Sequence, residues 1–86
     1  MYRTLANEIA DLLEKKRADY GDPNRTLGRF GVKGIAVRLN DKVERLINLT
    51  WHDNAKPHFE SIEDTLMDIA GYAILALEIL RRERDT

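Results

Sequence analysis

Between Ile62 and Leu80 apolar residues fall on nearly every side of a helix, and this stretch limits what the chain can fold into more than any other. Ile62, Leu66, Ile69, Ala73, Leu77 and Leu80 recur at helical spacing as one stripe, while Met67, Gly71, Ile74, Leu75 and Ile79 lie on other sides. A helix that is apolar on most sides is buried on most sides. The rest of the chain supplies only two more helical segments, too few to cover it, so the pattern predicts that this helix also packs against a second subunit. The expected fold is all-α: a three-helix antiparallel unit whose long C-terminal helix packs in a homo-oligomeric helical bundle. Gly71, in mid-helix, costs about 1 kcal/mol against alanine, which a close helix–helix contact at that point would offset.

Size points the same way. The chain has 86 residues and reads as a single helical domain, 1–86. A chain this short buries only roughly 60–65% of its unfolded surface. It has no cysteine, so neither a disulfide nor a thiolate metal site can support it, and oligomerisation remains the usual source of stability. The absence of cysteine suits a reducing cytoplasm. The amphipathic, charged start does not read as a signal peptide. The longest apolar run, residues 69–77, is far short of the ~20 residues of a membrane span.

The helices are expected at roughly residues 4–19, 35–50 and 62–84. Leu5, Ile9, Leu12, Leu13 and Lys16 make one stripe on the first; Ile35, Leu39, Val43, Leu46 and Thr50 make the inner stripe of the second. Ser61 reads as the N-cap of the third, with Asp64 at the third helical position as in a capping box. Gly21 ends the first helix and opens a glycine-containing loop, 21–34. In it Gly28, Gly31 and Gly34 recur every third residue, and a short helical turn there would bury Leu27 and Phe30. The loop leads into the start of the second helix, where free N–H groups attract anions and Arg29 and Lys33 add charge. The favoured reading is a plain connecting loop, because the spacing is neither a P-loop nor a dinucleotide fingerprint and no strand precedes it.

Charge is uneven although the net value is only −1. Arg25, Arg29, Lys33, Arg38, Lys42 and Arg45 make the middle of the chain basic, and Asp53, Glu60, Glu63, Asp64, Asp68 and Glu78 make the last part acidic. Near-neutrality gives no field that would draw the whole chain to DNA or to a membrane surface, so direct DNA binding is not expected.

Two constellations carry chemistry. Asp64 and Asp68, at i and i+4, project from one side of the third helix and stand beside Gly71, Tyr72 and Leu75. With Glu60 nearby, they suit Mg²⁺, which takes oxygen ligands and keeps waters for a substrate phosphate. Alternatively, Asp64 caps the helix and Asp68 pairs with a cation of the second helix. Arg38, Lys42 and Arg45 form a basic stripe able to hold phosphate, with Lys33 upstream of it; the other use of that stripe is salt bridging to the acidic helix. Tyr20 and Tyr72 are candidates to line a pocket or stack on a base. His52 and His58, around Pro57, have poor zinc spacing and read as surface residues.

Three short elements occur in order: Lys16 to Gly21 (K-R-A-D-Y-G), Asp41 to Leu46 (D-K-V-E-R-L), and Glu60 to Ile74, which contains Asp64, Asp68, Gly71 and Tyr72. Together they resemble the small phage proteins called nucleotide modification associated domain 1, over roughly residues 14–77. The resemblance implies a phage or prophage gene associated with nucleotide or DNA modification, acting in the host cytoplasm. A more distant similarity is to the MazG-like all-α nucleoside triphosphate pyrophosphohydrolases, helical oligomers that hold Mg²⁺ through E-x-x-E and E-x-x-D motifs. Asp41 and Glu44 would stand for the first motif and Asp68 for the end of the second, with Thr65 in place of its first carboxylate. The function expected is therefore that of a phage-type nucleotide-associated protein, with Mg²⁺-dependent binding or hydrolysis of nucleoside phosphates as its fullest form. The alternative is a non-catalytic helical homo-oligomeric interaction module.

Overall fold

The computed structural model describes residues 1–20, 27–51 and 59–85, and of Asp19, Tyr20, Leu27 and Gly28 the backbone alone. These residues form three α-helices, α1 Tyr2–Tyr20, α2 Gly31–Trp51 and α3 Phe59–Asp85, with a short 3₁₀ helix, Leu27–Phe30, leading into α2. There is no strand among the described residues, and no helix among them is long and apolar enough to cross a membrane. His52, Pro57 and His58 lie outside the described residues.

The helices run further than their apolar stripes predicted. α2 begins at Gly31 rather than near residue 35, so Gly31 and Gly34 belong to the helix and not to a loop. Gly31 has φ +65°. It turns the chain from the 3₁₀ path into α2 through the left-handed region, which glycine enters without strain. The 3₁₀ turn does not bury Phe30, which is 70% exposed. α3 likewise begins at Phe59, so Ser61 is not its N-cap. Ser61 lies inside the first turn, where its carbonyl accepts a 2.7 Å hydrogen bond from Thr65 Oγ1.

Each helix presents its apolar residues to α3 on a different side. On α2, Ile35 is 1% exposed and Leu39 and Leu46 are half-buried, whereas Val43 and Thr50 are exposed. The Thr50 hydroxyl turns back onto the Leu46 carbonyl at 2.8 Å. Positions early in α2 lie beside positions late in α3: Gly31 faces Glu83, Lys42 meets Asp68, and Arg45 meets Thr65. α1 packs on a neighbouring side of α3 through Ile9, Leu12 and Leu13, all half-buried.

The close contact expected at Gly71 is made by α1 of the same chain. A Cβ on Gly71 would stand 3.2 Å from Leu13 Cδ2, so the missing side chain lets α1 approach. Of the main stripe predicted on the third helix, Ile62 and Ile69 are half-buried, but the rest faces away from both neighbours. Leu66, Ala73, Leu77 and Leu80 are exposed, while Thr65, Gly71 and Ile79 are buried. With α2 on one side of α3 and α1 on the next, no helix among the described residues covers the third side.

The Gly71 contact predicts a specific coupling. Gly71→Ala regains about 1 kcal/mol of helix propensity but pushes on Leu13, so in the parent it changes stability by less than about 0.5 kcal/mol. In a Leu13→Ala chain the same substitution stabilises by the full ~1 kcal/mol. Urea denaturation of the four proteins checks this; equal effects in both backgrounds would show that Leu13 does not press on α3 there.

Candidate functional site

Asp68 is where the three helices meet. Its side chain is 24% exposed, and each carboxylate oxygen takes a lysine from a different helix: Oδ1 lies 3.2 Å from Lys16 Nζ of α1, and Oδ2 lies 3.0 Å from Lys42 Nζ of α2. Burial alone would raise the Asp68 carboxyl, but the hydrogen bonds from Lys42 and Lys16, together with their charges, outweigh it and hold the group below its ordinary value. The carboxylate is therefore ionised and occupied by two cations.

The other predicted phosphate-holding residues divide. Arg45 Nε donates to Thr65 Oγ1 at 3.3 Å; the hydroxyl of Thr65, only 2% exposed, donates in turn to the Ser61 carbonyl. Arg38 and Lys33 are exposed on α2 and make no ion pair among the described residues. The four cations thus do not converge: two are drawn to α3 and two face water. The proposed anion site at the start of α2 faces a carboxylate of the chain itself. Glu83 Oε1 lies 3.6 Å from where a Cβ on Gly31 would be, and a negative group is favoured at a helix N-terminus.

The predicted metal ligands border an open groove between α1 and the first half of α3. Its volume is about 750 Å³, and it is lined by Glu8, Asp11 and Leu12 of α1, by Glu60, Glu63, Asp64 and Met67 of α3, and by Lys15, Lys16 and Asp68. Glu60, Asp64 and Asp68 thus share one wall. Among the described residues no three Asp, Glu or His side chains are gathered closely enough to hold a metal ion. Tyr72 is half-buried on α3, and the side chain of Tyr20 lies outside the described residues.

Sequence reasoning placed Asp68 beside a cation of the second helix but missed Lys16. The signal was there, because Lys16 continues the apolar stripe of the first helix, where a cation needs an acidic partner across the interface. It also missed Arg17, whose Nη2 lies 3.1 Å from Glu78 Oε1 and ties α1 to α3 a second time.

Comparison with family models, curated proteins and solved structures finds no match.

A carboxyl group held below its ordinary value adds stability above that value and loses it as pH falls through the folded one. The Asp68 contribution is therefore complete at neutral pH and declines below about pH 4. Asp68→Asn destabilises the chain at pH 7 by about 1 kcal/mol, the half-exposed lysines being screened by solvent, and the gap between variant and parent narrows towards pH 3. Thermal melts at the two pH values measure it; a gap that does not change with pH would remove Asp68 from the acid response.

Proposed function

We propose that this chain is a helical homo-oligomeric interaction module, a three-helix antiparallel unit whose long C-terminal helix packs with further copies in the cytoplasm. The observation that carries this reading is the uncovered side of α3, where Leu66, Leu77 and Leu80 are 48%, 51% and 53% exposed. Large exposed apolar patches mark interaction surfaces. The order of contacts between α2 and α3, Gly31 with Glu83 and Arg45 with Thr65, supports the antiparallel arrangement. The pairing of Asp68 with Lys16 and Lys42 supports a structural use for the charges first considered as a binding site.

A second reading is favoured by the acidic groove: a phage-type nucleotide-associated protein that takes a nucleoside phosphate with Mg²⁺, in keeping with the resemblance to nucleotide modification associated domain 1. The groove volume falls within the range of small-molecule sites, roughly 300–1,000 Å³. Glu60 and Asp64 would supply oxygens to the ion, and Lys15 and Lys16 would face the phosphates. Asp68 would join only by giving up a lysine.

Sedimentation equilibrium and calorimetric titration separate the two. The interaction-module reading expects a particle of at least twice the chain mass at micromolar concentration, and no heat from dNTPs or NTPs with or without Mg²⁺. Mg²⁺-dependent micromolar binding that is lost in Asp64→Asn would establish the nucleotide reading instead. Asp64 is the better variant for this test, since replacing Asp68 also removes the junction of the three helices.

A further inference from the structure

The uncovered side of α3 has an internal symmetry that names its partner. Leu66, Ala70, Ala73 and Leu77 follow one another at steps of four, three and four residues, the spacing of a helix-pairing seam; Ala70 is half-buried and the other three are exposed. Large, small, small, large reads the same in both directions. At about 100° per residue the seam lies roughly opposite Asp68, on the far side of α3 from the junction with Lys16 and Lys42. Ala36 and Val43 of α2 are also exposed and lie away from Arg45 around that helix, so they extend the same apolar face.

Charge decides the direction of pairing. The first turns of α3 carry Glu60, Glu63 and Asp64, and the last carry Arg81, Arg82 and Arg84. Glu63 and Arg81 stand about five turns apart and so share one side of the helix, flanking the seam. Both are exposed and make no ion pair among the described residues. Parallel self-pairing would set acids on acids and arginines on arginines. Antiparallel pairing about a point between Ala70 and Ala73 sets Leu66 on Leu77 and Glu63 beside Arg81, twice over by symmetry.

Area agrees. The chain exposes 6978 Å², roughly 1,800 Å² more than a compact monomer of its mass. Its radius of gyration is 14.4 Å, where about 12 Å is usual for this length. A permanent homodimer buries roughly 2,000 Å² or more in total; the excess, counted over all surfaces of two copies and not over α3 alone, is large enough to include such an interface.

We propose that a second copy of this chain docks on the uncovered face of α3, with the two α3 helices antiparallel and crossing at Ala70 and Ala73. This rests on the interaction-module reading and specifies its partner and register.

The chain has no cysteine, so single cysteines report the register directly. Ala70→Cys and Ala73→Cys proteins are prepared separately, mixed and oxidised. A mixed disulfide dimer forming at least tenfold faster than either self-linked dimer is the expected result. Self-linking of each variant alone, with no preference for the mixture, means parallel pairing and overturns the proposal. A dimer by sedimentation that links in neither case uses another face; that overturns this inference while leaving the module reading intact. A monomer at all concentrations overturns both. Leu77→Glu raises the dimer dissociation constant by roughly 100-fold or more, because a two-fold interface suffers the change twice. Glu63→Arg weakens the dimer, and adding Arg81→Glu restores it; failure of that rescue counts against the antiparallel register.

Discussion

The Asp68 carboxylate joins all three helices, and the arrangement follows from that junction. One oxygen holds Lys16 of α1 and the other holds Lys42 of α2, so α3 becomes the helix on which both others are hung. A single carboxylate can do this because it accepts on both oxygens and because two ammonium groups outweigh its loss of water. With α1 and α2 drawn to adjoining sides of α3 at this point, the remaining side is left without a neighbouring helix among the described residues.

That asymmetry accounts for the thin core. Ile35 and Ile79 are the buried apolar side chains of the described residues, while the leucines at positions 66, 77 and 80 stay half-exposed. Chains of this size are marginal when they bury all they can. Much of the apolar surface that could stabilise the fold is therefore turned outwards; in the proposed homo-oligomer, folding and association become one problem. The paired charges at Asp68 belong to the opposite side of α3, and the acidic groove lies between α1 and the first half of α3.

Much of this was legible in the residue pattern. The stripes of Leu5, Ile9, Leu12 and Leu13 and of Ile35, Leu39 and Leu46 announced α1 and α2, because helix periodicity is a local property of the chain. Gly71 announced a close approach, because glycine in mid-helix lacks a local reason. Asp68 was singled out as a carboxylate at the edge of a buried face, and one of its partners was anticipated. Helix ends were read less well. Gly31, Gly34 and Ser61 look like loop and cap residues, yet each lies within a helix, because packing against α3 and α2 extends a helix beyond the reach of local preference.

Composition and periodicity by themselves determined that the chain is helical, that α3 carries more apolar surface than two helices can cover, and that opposite charges sit on the second and third helices. These are properties of neighbours along the chain, separated by a turn or two. Only the tertiary structure decided which side of α3 each helix takes, that Leu13 of α1 meets Gly71, that Lys16 shares Asp68 with Lys42, and that Glu83 stands at the start of α2. Those outcomes depend on the relative rotation and sliding of whole helices, which many weak contacts settle together and no single stretch of residues encodes.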